Sequence, residues 1–145
     1  MTEEHVYEMK SRWVKEKIVT IEIVGKPTIE CASPIDFWPE RPPDLYSPED
    51  LFLASVVACY GVSIPGIAKR FHAEFNDFEV KAKANLIKGE FGWEFEKISI
   101  SAKITVSTNK DKKKMTKVAE RAHRYCVVAN SMKCPVDIDA EIILQ

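Results

Sequence analysis

Excess charge of either sign is missing from this chain. Its 145 residues hold 21 basic and 22 acidic side chains and a net charge of −1. Such a balance excludes a bulk attraction to nucleic acid or to anionic membrane. No internal repeat or low-complexity stretch stands out, and hydrophobic residues at 46% with charged residues at 30% exclude collagen-like and disordered chains. No apolar run is expected to reach the roughly 18 residues of a membrane span. The opening Met1-Thr2-Glu3-Glu4-His5 is polar and acidic, which is not a signal peptide. A cytoplasmic protein is expected, with its cysteines reduced unless they do redox or metal chemistry. His5, His72 and His123 are widely spread and form no ligand pair. No two of Cys31, Cys59, Cys126 and Cys134 lie two residues apart, so neither a zinc knuckle nor a thioredoxin-type motif is present. No metal and no cofactor are expected.

The pattern that is present predicts one α+β domain over residues 1–145, antiparallel sheets packed on a central helix. Residues 4–32 alternate in strand fashion, as Val19, Ile21 and Ile23 against Ile18, Thr20 and Glu22. Two or three antiparallel strands are expected there, with turns near Lys15 and Gly25-Lys26-Pro27. Pro34, Pro39, Pro42 and Pro43 make residues 33–47 an irregular loop. Ser47-Pro48-Glu49-Asp50 is a helix start, with an N-cap, a proline at the first helical position and a capping-box acid. The helix then runs through Leu51–Cys59 and is apolar nearly all round, which predicts a buried central helix, with a periodic pattern continuing to about Phe71. Pro65 is expected to kink it.

Two alternating strands follow, Phe78–Leu86 and Ile98–Val106, joined by a hairpin at Lys88–Gly92. Trp93 and Phe95 fall out of phase with Ile98, which predicts a bulge. A second helix from Asn109 carries the stripe Met115, Val118, Ala119, Ala122, Tyr125 and Cys126. The last strand is Val136–Leu144. The lysines between Lys110 and Lys117 lack interleaved aromatics and are expected to be a solvated helix face rather than a nucleic-acid site.

A free cysteine often only fills space in a core. Cys59 differs by position, since it lies inside the apolar helix beside Ala58 and Gly61. It is about three turns past the cap, beyond the reach of the helix dipole. A reactive Cys59 therefore needs a cation from elsewhere. Arg41 in the proline-rich loop is the sequence-local candidate, and Glu49 at the helix start is placed to orient a cation. A surface loop charge and a helix-start acid are the plainer alternatives. The stripe carrying Cys126 must face the core, so a Cys59–Cys126 encounter is open to this fold, though sequence supplies no separation.

The segment Ser47-Pro48-Glu49-Asp50-Leu51-Phe52-Leu53-Ala54-Ser55-Val56-Val57-Ala58-Cys59-Tyr60 resembles the first-cysteine motif of the OsmC/Ohr family, the osmotically inducible and organic hydroperoxide resistance proteins. Tyr125–Lys133 resembles the family's second-cysteine segment, with Val127 where the family carries proline. The resemblance implies a thiol peroxidase that reduces organic hydroperoxides, and hydrogen peroxide as a further substrate, in defence against oxidative stress. Cys59 would attack the peroxide and become a sulfenic acid, and Cys126 would close a disulfide. A dithiol of lipoyl or thioredoxin type would restore both. The family's glutamate maps onto Glu49 by its ten-residue offset, and its arginine onto Arg41 by approximate position. Phe37, Trp38 and Phe52 would line an apolar substrate pocket, and the protein would be an intertwined homodimer. The rival is a non-catalytic module that binds a small hydrophobic ligand on the same fold. Thiol counting after peroxide addition separates the two.

Overall fold

A computed structural model describes residues 2–145. Met1 lies outside them. The chain is α+β and divides into two compact units, one ending at Phe52 and the other beginning at Leu53.

The first unit opens with three short strands, β1 (Lys10–Lys15), β2 (Ile18–Glu22) and β3 (Ile29–Ala32), in an antiparallel sheet of that order. The β1–β2 turn uses Glu16 at φ 47°, and the β2–β3 turn uses Gly25 at φ 83°. Only the second has the residue that adopts this backbone without steric cost. Ile18, Cys31 and Ala32 are buried. The proline-rich loop then returns beside β3, where the Ala32 amide donates to the Tyr46 carbonyl at 2.9 Å.

Helix α1 (Pro48–Arg70) starts where the capping residues predict. The Asp50 amide donates to Ser47 Oγ at 3.1 Å, and the Ser47 amide donates to the Asp50 carboxylate at 2.9 Å. Two otherwise orphaned donors are satisfied reciprocally, worth about 1 kcal/mol for the cap. The helix passes Pro65 and ends at Arg70, with His72 beyond it at φ 52°. The Ala73 amide reaches back to the Ala68 carbonyl at 2.9 Å, a Schellman-type closure.

The second unit holds the main core. Strands β4 (Asp77–Gly89) and β5 (Gly92–Val106) form a long hairpin, with a register shift where Ala84 faces Ile98 and Leu86 faces Phe95. One extra β5 residue there is the bulge expected from the phase of Trp93 and Phe95. Helix α2 (Asn109–Arg124) follows, capped by Thr108, whose Oγ1 accepts from the Asp111 amide at 3.0 Å. Asp111 also accepts from the Glu74 amide at 3.0 Å, tying the start of α2 to the α1–β4 connection. That bond, then the Thr108 hydroxyl donating to the carboxylate at 2.8 Å, holds the Asp111 carboxyl below its ordinary range. A single turn, α3 (Val127–Asn130), leads to β6 (Val136–Leu144).

Three expectations are corrected. Strand β6 pairs with β5 in parallel, from Ile98 opposite Val136 to Val106 opposite Leu144, so this sheet is mixed rather than antiparallel. The intervening α2 and α3 give the chain enough length to return and run the same way. Helix α1 is not buried all round: Val56, Tyr60, Ile64 and Ala68 are buried, while Ala54, Ala58, Val62, Pro65 and Gly66 on other sides are exposed. The i, i+4 spacing of the buried four marks a single packed face. Finally, α1 contains an 18-residue window long and apolar enough to cross a membrane. The expectation that no run reaches that length overlooked the uncharged stretch from Leu51 to Ala68.

Candidate functional site

Cys59 sits in α1, one residue before Tyr60, whose side chain is fully buried. The Tyr60 hydroxyl donates to the Ala119 carbonyl of α2 at 3.1 Å. This bond joins α1, which carries Cys59, to α2, which leads into the Cys126 turn. Burial, with Cys126 nearby, pushes the Tyr60 hydroxyl up to about 12, so it remains a donor across the neutral range.

Cys126 is buried at 1% exposure, but it is not on α2 as the stripe predicted. The helix ends at Arg124, Tyr125 caps it and is 59% exposed, and Cys126 begins the α3 turn. The backbone leaves helical geometry at Cys126, with φ −69° and ψ 105°. Its side chain still enters the core that holds Tyr60, Ile98, Met115 and Ala122. Cys59 packs half-buried against the same core, near enough to Cys126 for the two thiols to influence each other's charge. Burial pushes the Cys126 thiol up, and the proximity of Cys59 adds to this. The Ala129 and Val128 amides of the α3 turn act in the opposite direction. All four cysteines are free thiols. One member of the neighbouring pair is therefore half-buried and the other enclosed and kept protonated.

The first unit brings together a different set. Arg41 is half-buried and donates from Nε to the Ser33 carbonyl at 2.7 Å and from Nη2 to the Leu45 carbonyl at 2.5 Å. It thus holds both ends of the proline-rich loop. Arg41 and Glu49 both act electrostatically on the buried Cys31 thiol. Burial raises that thiol most and Glu49 next, with Arg41 opposing and Asp50 adding a further rise. Glu49 Oε1 is buried and accepts no hydrogen bond. A buried carboxylate oxygen without a donor is costly, so a cation or amide at that atom would be strongly favoured. Sequence reasoning gave Cys31 no surroundings, because its neighbours arrive from a loop and a helix start distant in the chain. Phe37 and Trp38 lie in a turn where both amides donate to the Pro34 carbonyl, at 3.0 and 2.9 Å. Phe37 is partly exposed, as is Phe52 at the end of this unit. The candidate arginine, glutamate and aromatics therefore belong to the first unit and the two candidate sulfurs to the second. Among the described residues, no cluster of three or more His, Cys, Asp or Glu could hold a metal ion.

Comparison with known proteins bears on this arrangement. The family model described as OsmC-like protein matches residues 41–141. The organic hydroperoxide resistance protein OhrB of Bacillus subtilis is 29% identical over 97 residues, 66% of this chain and 68% of that protein. An uncharacterized protein of Methanocaldococcus jannaschii is 28% identical over 99 residues, 68% of this chain and 50% of its own length. Among solved structures, an OsmC-like protein of unknown function from Vibrio cholerae superposes with a TM-score of 0.80 at 18% identity, covering 94% of this chain and all of that one. An organic hydroperoxide resistance protein OsmC from Legionella pneumophila gives 0.74 at 20% identity, covering 97% of this chain and all of its own. At such identities the solved structures speak for the shared fold.

Proposed function

The chain belongs to the OsmC-like family, and from that premise we propose that it is a cysteine-dependent hydroperoxide reductase. The proximity of the half-buried Cys59 to the enclosed Cys126 in one core is the observation that carries this reading. The likeness to a hydroperoxide resistance protein of Bacillus subtilis supports it.

In the proposed cycle the Cys59 thiolate attacks the terminal oxygen of the hydroperoxide. The O–O bond breaks, the alcohol leaves with a proton, and Cys59 becomes a sulfenic acid. The Cys126 sulfur then attacks the Cys59 sulfur. Water leaves, a disulfide forms, and two electrons have passed to the peroxide. An external dithiol of lipoyl or thioredoxin type returns both thiols by exchange. Enclosure suits Cys126 to the resolving step, since it is shielded from peroxide itself. Glu49 and Arg41 are proposed to set the charge around the reacting thiolate, and Phe37, Trp38 and Phe52 to favour organic over hydrogen peroxide. A homodimer working in the cytoplasm completes the proposal.

Alkyl hydroperoxide added to the protein under anaerobic conditions tests it by thiol counting. Rapid loss of two thiols per chain is expected, with none lost by this route in Cys59→Ser. In Cys126→Ser a sulfenic acid trappable by dimedone accumulates without an intramolecular disulfide. Equal, slow peroxide consumption by wild type and Cys59→Ser would leave a ligand-binding module instead. Arg41→Ala is expected to move the pH–rate profile to higher pH and to cost about tenfold or more at neutral pH. A profile that keeps its shape would assign Arg41 to the loop alone.

A further inference from the structure

A cleft of about 270 Å³ lies between the end of α1 and the end of α2. Ile67, Arg70 and Phe71 line it from one side and Arg121 and Tyr125 from the other. Its volume is at the small end of ligand pockets. The Arg121 guanidinium lies over the Phe71 ring, 5.8 Å from its centre. That stacking holds the plane of the group by one face and leaves its N–H edge open.

Two guanidiniums thus line one small cleft, and no carboxylate lines it. Among the described residues neither arginine forms an ion pair, with Arg12 the one arginine that does. Both stand in the last turns of their helices, where cations favour the dipole. The dipole accounts for their presence at those ends. It does not account for two arginines lining one aromatic-walled cleft. Arginine cannot shed its charge, so an anion is the group that complements the pair.

We infer that the Arg70–Arg121 cleft is a binding site for a small amphipathic carboxylate. The carboxylate takes paired N–H bonds from the guanidiniums, and its apolar body lies against Ile67 and the Tyr125 ring. The site goes beyond the thiol chemistry and does not depend on it.

Titration of the full-length protein with octanoate, followed by amide chemical shifts in NMR, tests this. Saturable shifts are expected at Phe71 and Tyr125. Octanol and inorganic phosphate should each bind about tenfold or more weakly, since each offers only half of the recognised chemistry. The exposed pair changed together, Arg70→Gln with Arg121→Gln, should lose about tenfold or more in octanoate affinity with an unchanged melting temperature. Equal binding of octanol, equal binding of phosphate, or undiminished binding by the double variant would each overturn the inference. So would sedimentation showing that the double variant dissociates a dimer while octanoate shifts nothing, because the cleft would then be a contact between copies.

Discussion

Tyr60 and Cys126 are two acids kept neutral by the same enclosure. Their protons are held more tightly in the folded chain than in the unfolded one, whose reference values are 10.0 and 9.0. Both contributions are therefore fully present below pH 9 and are lost as pH rises towards about 12, the folded value for Tyr60. Urea unfolding between pH 8 and pH 11 should show stability falling on the alkaline side. Tyr60→Phe should flatten the part above pH 10 while costing about 1 kcal/mol at neutral pH through the bond lost to Ala119. A wild type whose midpoint holds steady to pH 11 would contradict the enclosure of both groups. At this scale the sequence showed which residues could react but not how they are surrounded. The offset of Cys59 from the helix start is written in the chain. The proximity of Cys126 depends on where α2 stops, and a helical stripe carries no sign that the helix ends at Arg124.

Element boundaries were more legible where short-range chemistry sets them. Ser47 and Asp50 mark the start of α1, and four prolines forbid regular structure before it. The hairpin and its bulge followed from the phase of alternating residues. The direction of β6 did not, because alternation of side chains is the same for either direction of pairing. The end of α1 was legible from periodicity, which ran to about Phe71 against the observed Arg70, although the left-handed position that usually takes glycine holds His72 at φ 52°. That departure offers a test. His72→Gly removes the Cβ clash, and because the Lys114 ammonium bonds the His72 backbone carbonyl, that contact survives. A gain of about 1 kcal/mol in thermal or urea unfolding is expected, and a loss would show that the imidazole itself holds the turn.

For the whole molecule, the uncharged length of α1 suggested complete burial, whereas one side alone is covered within the chain. Periodicity tells how apolar a helix is, not how many surfaces are available to cover it. Val62 on an open side is 74% exposed. If a second copy covers it, as the proposed homodimer requires, Val62→Glu should convert a dimer to monomers in sedimentation without loss of helical circular dichroism, since a charge there would be buried unpaired. Unchanged mass would place any interface elsewhere. The parallel pairing of β5 with β6 carries a further consequence, for biogenesis. During synthesis β5 acquires its hairpin partner from residues already made, while its opposite edge waits for the helical stretch and then β6 to emerge from the ribosome. Through that interval an apolar ledge from Ile98 to Val106 is bare to other nascent chains, so the vulnerable moment falls between the emergence of β5 and that of β6, and a holdase that shields strand edges is the helper it would need.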